Sequence, residues 1–300
     1  MTDKLPPIVS TEWLAARLGS PGLRVIDASW YLPGSDRNPA AEYVAGHIPG
    51  AVFFDLDASS DPNTTLPHML PSEQAFSDRM ASLGVNNSDD LIVYDGSGTN
   101  LSAARVWWML RTFGHHRGAV LDGGMGKWGR ENRPIEQGTI SVSPGKFTAR
   151  LNPAAVRDLA AVQTNIQQKR EQLVDVRSAG RFAATEPEPR PGLRRGHVPG
   201  SRNLPFTELV RPDGTILPDD QLRRRIEAAG IDLSQPIVAT CGSGTSACTL
   251  ILTLALLGHQ DAALYDGAWS EWGGRPDTPI ESGPPESRRA HNAGEQPSRH

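Results

Sequence analysis

The residues Ile237-Val238-Ala239-Thr240-Cys241-Gly242-Ser243-Gly244-Thr245-Ser246-Ala247 decide how this chain is read. An apolar run of β-type residues ends on a cysteine, a short glycine-containing loop follows, and Ser246 opens a helical pattern through Leu257. Cys241 is therefore expected where a strand stops and a helix begins. The first N–H groups of a helix lack helical partners, and the positive end of its dipole favours an anion. The thiolate is the nucleophilic form of cysteine, so the position suits a reactive sulfur. Gly242 and Gly244 let the loop fold tightly and turn its N–H groups inward, as an anion-binding nest requires. The competing reading is a core thiol that only ends a strand, because free cysteine packs well as a small apolar side chain.

Around this stretch lie 300 residues, enough for two domains of ordinary size. The formal net charge of −4 gives no basic footprint for nucleic acid. Two cysteines, Cys241 and Cys248, make no disulfide framework and suit a reducing compartment. Met1 to Pro7 lacks the apolar core of a signal peptide, and the apolar run Leu250 to Leu257 is too short to span a bilayer. A soluble, cytoplasmic protein with no membrane partner is the expectation.

Upstream, Ser10 or Thr11 caps a short helix, and Leu23 to Asp27 is a strand. His47-Ile48-Pro49-Gly50 is a turn into a second short strand, and Asp55 to Pro71 is a long polar loop. A helix from Ser72 to Leu83, a strand Asp90 to Asp95, a helix Ala103 to Phe113 stopped by Gly114, and a strand Gly118 to Asp122 follow. Strands alternating with helices predict an α/β fold, a mainly parallel sheet with helices on both faces. After a stretch rich in Gly, Ser, Thr and Pro the pattern starts again. Asp175 answers Asp27 at an offset of 148, His197 answers His47 at 150, Cys241 answers Asp95 at 146 and Asp266 answers Asp122 at 144. Ordered matches at nearly constant offset indicate a tandem duplication. The boundaries read as a first domain over 1–135, a linker over 136–153, a second domain over 154–281 and a disordered tail over 282–300. The duplication also supplies a control, because Asp95 stands where the second copy has Cys241. A carboxylate cannot replace a thiolate nucleophile, so the first copy is expected to be inert and the active site to belong to the second half.

Several longer motifs now bear on the function: His47-Ile48-Pro49-Gly50-Ala51-Val52-Phe53-Phe54-Asp55, Leu66-Pro67-His68-Met69-Leu70-Pro71, Ala104-Arg105-Val106-Trp107-Trp108-Met109, Gly180-Arg181-Phe182 and Glu186-Pro187-Glu188-Pro189-Arg190. With the Cys-Gly-Ser-Gly loop they make the chain, from about Val9 to Glu281, resemble the two-domain rhodanese superfamily, and within it the 3-mercaptopyruvate sulfurtransferases. The resemblance implies two rhodanese-like domains and a persulfide cycle. Cys241 would take sulfane sulfur from the donor, release pyruvate and pass the sulfur to a thiol or cyanide. The family suggests thioredoxin as a thiol acceptor and no metal or organic cofactor. By the same resemblance Arg181 and Arg190 hold the donor's carboxylate and carbonyl oxygens, a task suited to a planar guanidinium. Gly242, Gly244, Thr245 and Ser246 complete the substrate cradle. Ser243, His68 and Asp57 match a relay for the donor's thiol proton, which requires the first domain's long loop to reach the second domain's site. Without the resemblance, the arginines read equally as a solvated face, and His68 and Asp57 as loop residues. One departure is that the family's loop continues Val-Thr where this chain has Thr245-Ser246. Ser246 keeps a hydroxyl able to cap the helix.

Other residues have structural readings: Cys248, Trp107, Trp108 and Met109 as core, and His47 and His197 as turn residues. His115-His116 shows no metal spacing. A phosphatase on the same fold needs an arginine six residues after its cysteine, and Ala247 stands there. Thiosulfate as the main donor is the alternative for the second half; relatives that prefer it tend to carry basic residues in this loop, and Gly242 to Ser246 has none. A non-catalytic binding module is the remaining alternative, and an interface role is expected for the first half.

Overall fold

A computed structural model describes residues 5–32 and 34–284. The chain runs through β1 (Ile8–Val9), α1 (Thr11–Ala15), β2 (Leu23–Asp27), α2 (Pro39–Ala45), β3 (Ala51–Phe53), α3 (Glu73–Ser82), β4 (Asp90–Tyr94), α4 (Leu101–Thr112), β5 (Gly118–Leu121) and α5 (Gly124–Arg130). The same order of strands and helices then repeats: β6 (Val156–Arg157), α6 (Leu159–Gln168), β7 (Gln172–Asp175), α7 (Ala179–Phe182), β8 (Arg202–Asn203), α8 (Asp219–Ala228), β9 (Ile237–Thr240), α9 (Ala247–Leu256), β10 (Ala262–Tyr265) and α10 (Ala268–Trp272). Each half forms a five-stranded sheet, ordered β1-β5-β4-β2-β3 and β6-β10-β9-β7-β8. Every pairing within them is parallel, as βαβ crossovers require. Buried on both faces, the central strands are apolar throughout, Leu91 to Val93 and Ile237 to Ala239 among them.

The duplication extends to side chains. His47 stacks on Tyr43 and its Nδ1 lies 2.8 Å from the Tyr43 carbonyl; His197 stacks on Phe182 with the same distance to the Phe182 carbonyl. Glu136 accepts from Gly50 N as Glu281 accepts from Gly200 N. The backbones of these glutamates also bridge His47 and His197 respectively. Glu136, read as the first linker residue, is thus paired with the His47 turn of the first half, as Glu281 is with the His197 turn of the second. The rest of that segment is irregular but anchored. Phe147 and Ala149 are buried, and Asn87 accepts from Thr148 N and donates to Thr148 O. Of the expected tail, residues 285–300 lie outside the described residues. Among the described residues no helix is long and apolar enough to cross a membrane.

The halves meet along α4 and α9. Both are apolar nearly all round, because each packs on its own sheet and on the other helix. Of the two arginines in α4, Arg111 is partly exposed but Arg105 is fully buried. Burying a guanidinium without a partner is prohibitive, so its partners define what the interface is built around.

Candidate active site

Cys241 leaves the end of β9 and is 1% exposed. Its carbonyl accepts from Trp269 N, and the Gly242 carbonyl accepts from both the backbone and the hydroxyl of Ser270, so α10 holds the loop from below. Gly244 adopts φ +78°, and a Cβ there would meet the Asp266 carbonyl at 3.1 Å. The positive φ favours glycine, and the close approach adds to that preference. At Gly242 a Cβ would lie 2.9 Å from Arg181 Nη2, which shows how closely that guanidinium approaches the loop. Among the described residues, no N–H from Gly242 to Ser246 donates to a protein acceptor. The expected cap is not formed: Ser246 has helical dihedrals and its side chain makes no capping bond. A residue already in the helical region cannot turn its hydroxyl back onto the next N–H groups, so the cradle stays open.

The first half answers what such a cradle does when filled. Asp95 is 1% exposed; its Oδ1 accepts from Ser97 N at 2.8 Å and Ser97 Oγ at 2.6 Å, and its Oδ2 from Ser102 N and Ala103 N, both at 2.9 Å. This carboxylate is a built-in anion at the start of α4. With the N–H groups of Ser102 and Ala103 satisfied, the helix begins at Leu101, two residues before the Ala103 start expected from periodicity. Asp95→Ala is expected to destabilise the protein by about 2–3 kcal/mol, the scale of lost hydrogen bonds to a charged group, with turnover per folded molecule unchanged. Chemical denaturation against activity per folded enzyme checks it.

The residues expected from the first half's long loop do reach the second half. His68 Nδ1 lies 3.1 Å from Ser243 Oγ and 3.0 Å from Thr245 Oγ1. His68 Nε2 lies 3.0 Å from Asp57 Oδ1, whose other oxygen accepts from Trp30 Nε1. The hydrogen bond from His68 holds the Asp57 carboxyl below its ordinary value, with a smaller contribution from Arg190. His68 itself sits at φ +60°, a strained conformation for a residue with a Cβ.

What holds it there is the Arg105–Asp266 pair, which the sequence reading missed as a site feature. Arg105, from the first half, donates to Asp266 Oδ1 at 2.9 Å, to the Gly244 carbonyl at 3.3 Å and to the His68 carbonyl. Asp266 Oδ2 accepts from Leu70 N at 2.8 Å. One buried ion pair thereby ties the His68–Leu70 segment to the cysteine loop. An arginine set mid-helix among apolar residues, Ala104-Arg105-Val106-Trp107, was the available signal. The contact has a pseudo-symmetric counterpart: Asp122 accepts from Ile216 N, and Asn100 donates to the Gly214 carbonyl. Each half thus lends a loop to the other.

Arg181 donates through Nε and Nη2 to Glu188 Oε2, a carboxylate shared with buried Arg177, which also pairs with Asp175. This network fixes the guanidinium against Gly242. Arg190 is half-buried, within electrostatic reach of Cys241, Arg181, Asp57 and Glu188, and burial together with Arg181 lowers its pKa. Among the described residues its guanidinium has no hydrogen-bond or ion-pair partner. Cys248 is fully buried, as its core reading expects, and donates to the Gly244 carbonyl; burial pushes its thiol up, so it stays protonated.

A strand–loop–helix turn built twice, with Cys241 at its head in one half and the Asp95 carboxylate in the other, is matched by the rhodanese-like domain model over residues 10–131 and again over 158–275. The chain belongs to the rhodanese family. Among rhodanese relatives, 3-mercaptopyruvate sulfurtransferase of Escherichia coli (strain K12) is 47% identical over 274 residues, 91% of this chain and 97% of that protein. The mitochondrial thiosulfate/3-mercaptopyruvate sulfurtransferase 1 of Arabidopsis thaliana is 44% identical over 92% of this chain and 78% of its own length. The crystal structure of the Escherichia coli 3-mercaptopyruvate sulfotransferase SseA superposes with a TM-score of 0.81 at 44% identity, covering 89% of this chain and all of that one. This two-domain rhodanese is accordingly an enzyme of the sulfurtransferase class.

Proposed function

We propose that this rhodanese moves sulfane sulfur from 3-mercaptopyruvate to a thiol or cyanide acceptor through a persulfide on Cys241, releasing pyruvate. The observation that carries the choice of donor is Arg190: a half-buried guanidinium without a protein partner, beside Cys241 and next to the fixed Arg181. Two arginines suit the adjacent carboxylate and carbonyl of an α-keto acid, and no basic side chain lies in the loop itself to neutralise a thiosulfate dianion.

In the proposed cycle the Cys241 thiolate attacks the donor's sulfur. The carbon–sulfur bond breaks with its electron pair left on carbon, giving the enolate of pyruvate. The donor's thiol proton passes to Ser243 as the serine proton passes to His68 Nδ1, and Asp57 stabilises the imidazolium. Returned by the same route, that proton converts the enolate to pyruvate. The terminal sulfur anion of the persulfide then accepts from the free N–H groups of Gly242 to Ser246. An acceptor thiolate attacks that outer sulfur and regenerates Cys241. The first half makes no bond to sulfur; it lends His68 and Asp57. A thioredoxin-type thiol as acceptor and a cytoplasmic location belong to the same proposal.

The test is the specificity constant for 3-mercaptopyruvate against thiosulfate with a thiol acceptor. Mercaptopyruvate is expected to dominate, and Arg190→Ala to lower its kcat/KM by roughly 10–100-fold, the scale of one charge-assisted contact. Arg181→Ala is expected to fall in the same range. A preference for thiosulfate, or unchanged constants in both variants, would reject this donor assignment.

A further inference from the structure

Two hydroxyls compete for one nitrogen. Asp57 is an acceptor, so the proton of a neutral His68 sits on Nε2, 3.0 Å from Asp57 Oδ1. That leaves Nδ1 with a single lone pair. Ser243 Oγ lies 3.1 Å from it and Thr245 Oγ1 3.0 Å, too close in distance for geometry to rank them. Thr245 is 2% exposed and has no other hydrogen-bond partner among the described residues. Its hydroxyl therefore serves His68. When the imidazolium forms, Nδ1–H faces two hydroxyl oxygens instead of one.

We propose that Thr245 is a second proton-transfer hydroxyl, interchangeable with Ser243 at His68 Nδ1, for the thiol proton of the sulfur donor. This rests on the relay assigned under the proposed function. The proton balance is the same by either route. The hydroxyl proton moves to Nδ1, the donor's S–H proton replaces it on the same oxygen, and both steps reverse when the enolate carbon is protonated. Ser243 and Thr245 sit on either side of Gly244, whose φ of +78° turns the chain so that both hydroxyls face the histidine.

The experiment is a mutant cycle of Ser243→Ala, Thr245→Val and the double variant, with His68→Ala as the floor. Turnover of 3-mercaptopyruvate with a thiol acceptor is measured for each. General acid–base catalysis contributes about 10²–10⁴-fold, so each single variant is expected to lose under about tenfold and the double to fall to the His68→Ala floor. Ser243→Ala combined with Thr245→Ser keeps one hydroxyl and is expected to return to the single-variant level, which a packing defect at Thr245 would not explain. A double variant that falls to the His68→Ala floor, by more than the product of the two single losses, supports the proposal; a double loss equal to that product overturns it. Unaltered turnover in His68→Ala would overturn the relay and Thr245's share with it. A His68→Ala loss with an additive cycle would overturn Thr245's share alone.

Discussion

Cys241→Ser is expected to abolish sulfur transfer from every donor, a loss of at least about 10³-fold, while the fold is kept. Serine fills the same volume and leaves the Trp269 and Ser270 contacts to the loop backbone intact. Its hydroxyl, however, is not ionised near neutral pH and cannot carry sulfane sulfur, whereas a thiolate does both. Asp95 gives a natural comparison: the same loop position with a carboxylate makes internal hydrogen bonds and presents no nucleophile. The check is turnover with mercaptopyruvate and thiosulfate, together with mass spectrometry of enzyme incubated with donor alone. Wild type should gain one sulfur atom and Cys241→Ser none. Transfer persisting in the serine variant would move the chemistry away from Cys241.

Arg105→Met is expected to be the most damaging substitution outside the sulfur chemistry, destabilising the protein by about 3–5 kcal/mol, the usual cost of breaking a buried ion pair from one side. Methionine approximates the length of the side chain but leaves Asp266 buried with only the Leu70 N–H, and leaves the Gly244 and His68 carbonyls without this donor. His68 then loses the contact that opposes its strained backbone, so kcat should fall in the molecules that remain folded. Thermal denaturation and kcat per folded enzyme separate the two effects. A double-mutant cycle with Asp266→Asn should show strong coupling, since the asparagine oxygen still accepts from Leu70 N and removes the unpaired charge. Additive effects would mean that the pair is not the clamp described.

The sequence carried the fold because its signals are local or repetitive. Runs such as Leu91 to Val93 and Ile237 to Ala239, bounded by turn residues, read as strands buried on both faces, and four ordered offsets of 144 to 150 residues mark the duplication in the sequence itself. The loop around Cys241 was equally legible, since strand end, glycines and helix start are all short-range features. Ser246 as a cap was the local inference that failed, because its backbone dihedrals depend on how the loop is drawn onto α10.

Contacts between residues far apart in the chain were settled only by the tertiary structure. That His68 meets Ser243 and Thr245, 175 and 177 residues away, depends on how α4 packs on α9, which periodicity does not specify. Resemblance pointed to His68 and set Thr245 in the substrate cradle, but did not join the two; the Thr245 hydroxyl lies 3.0 Å from a histidine of the other half. Arg105 was visible as a charge in an apolar helix, yet its partners, Asp266 and the carbonyls of His68 and Gly244, come from three separate segments. Composition and spacing determine which elements form. Burial at the interface decides which polar groups must find each other, because there an unpaired charge has no water to turn to.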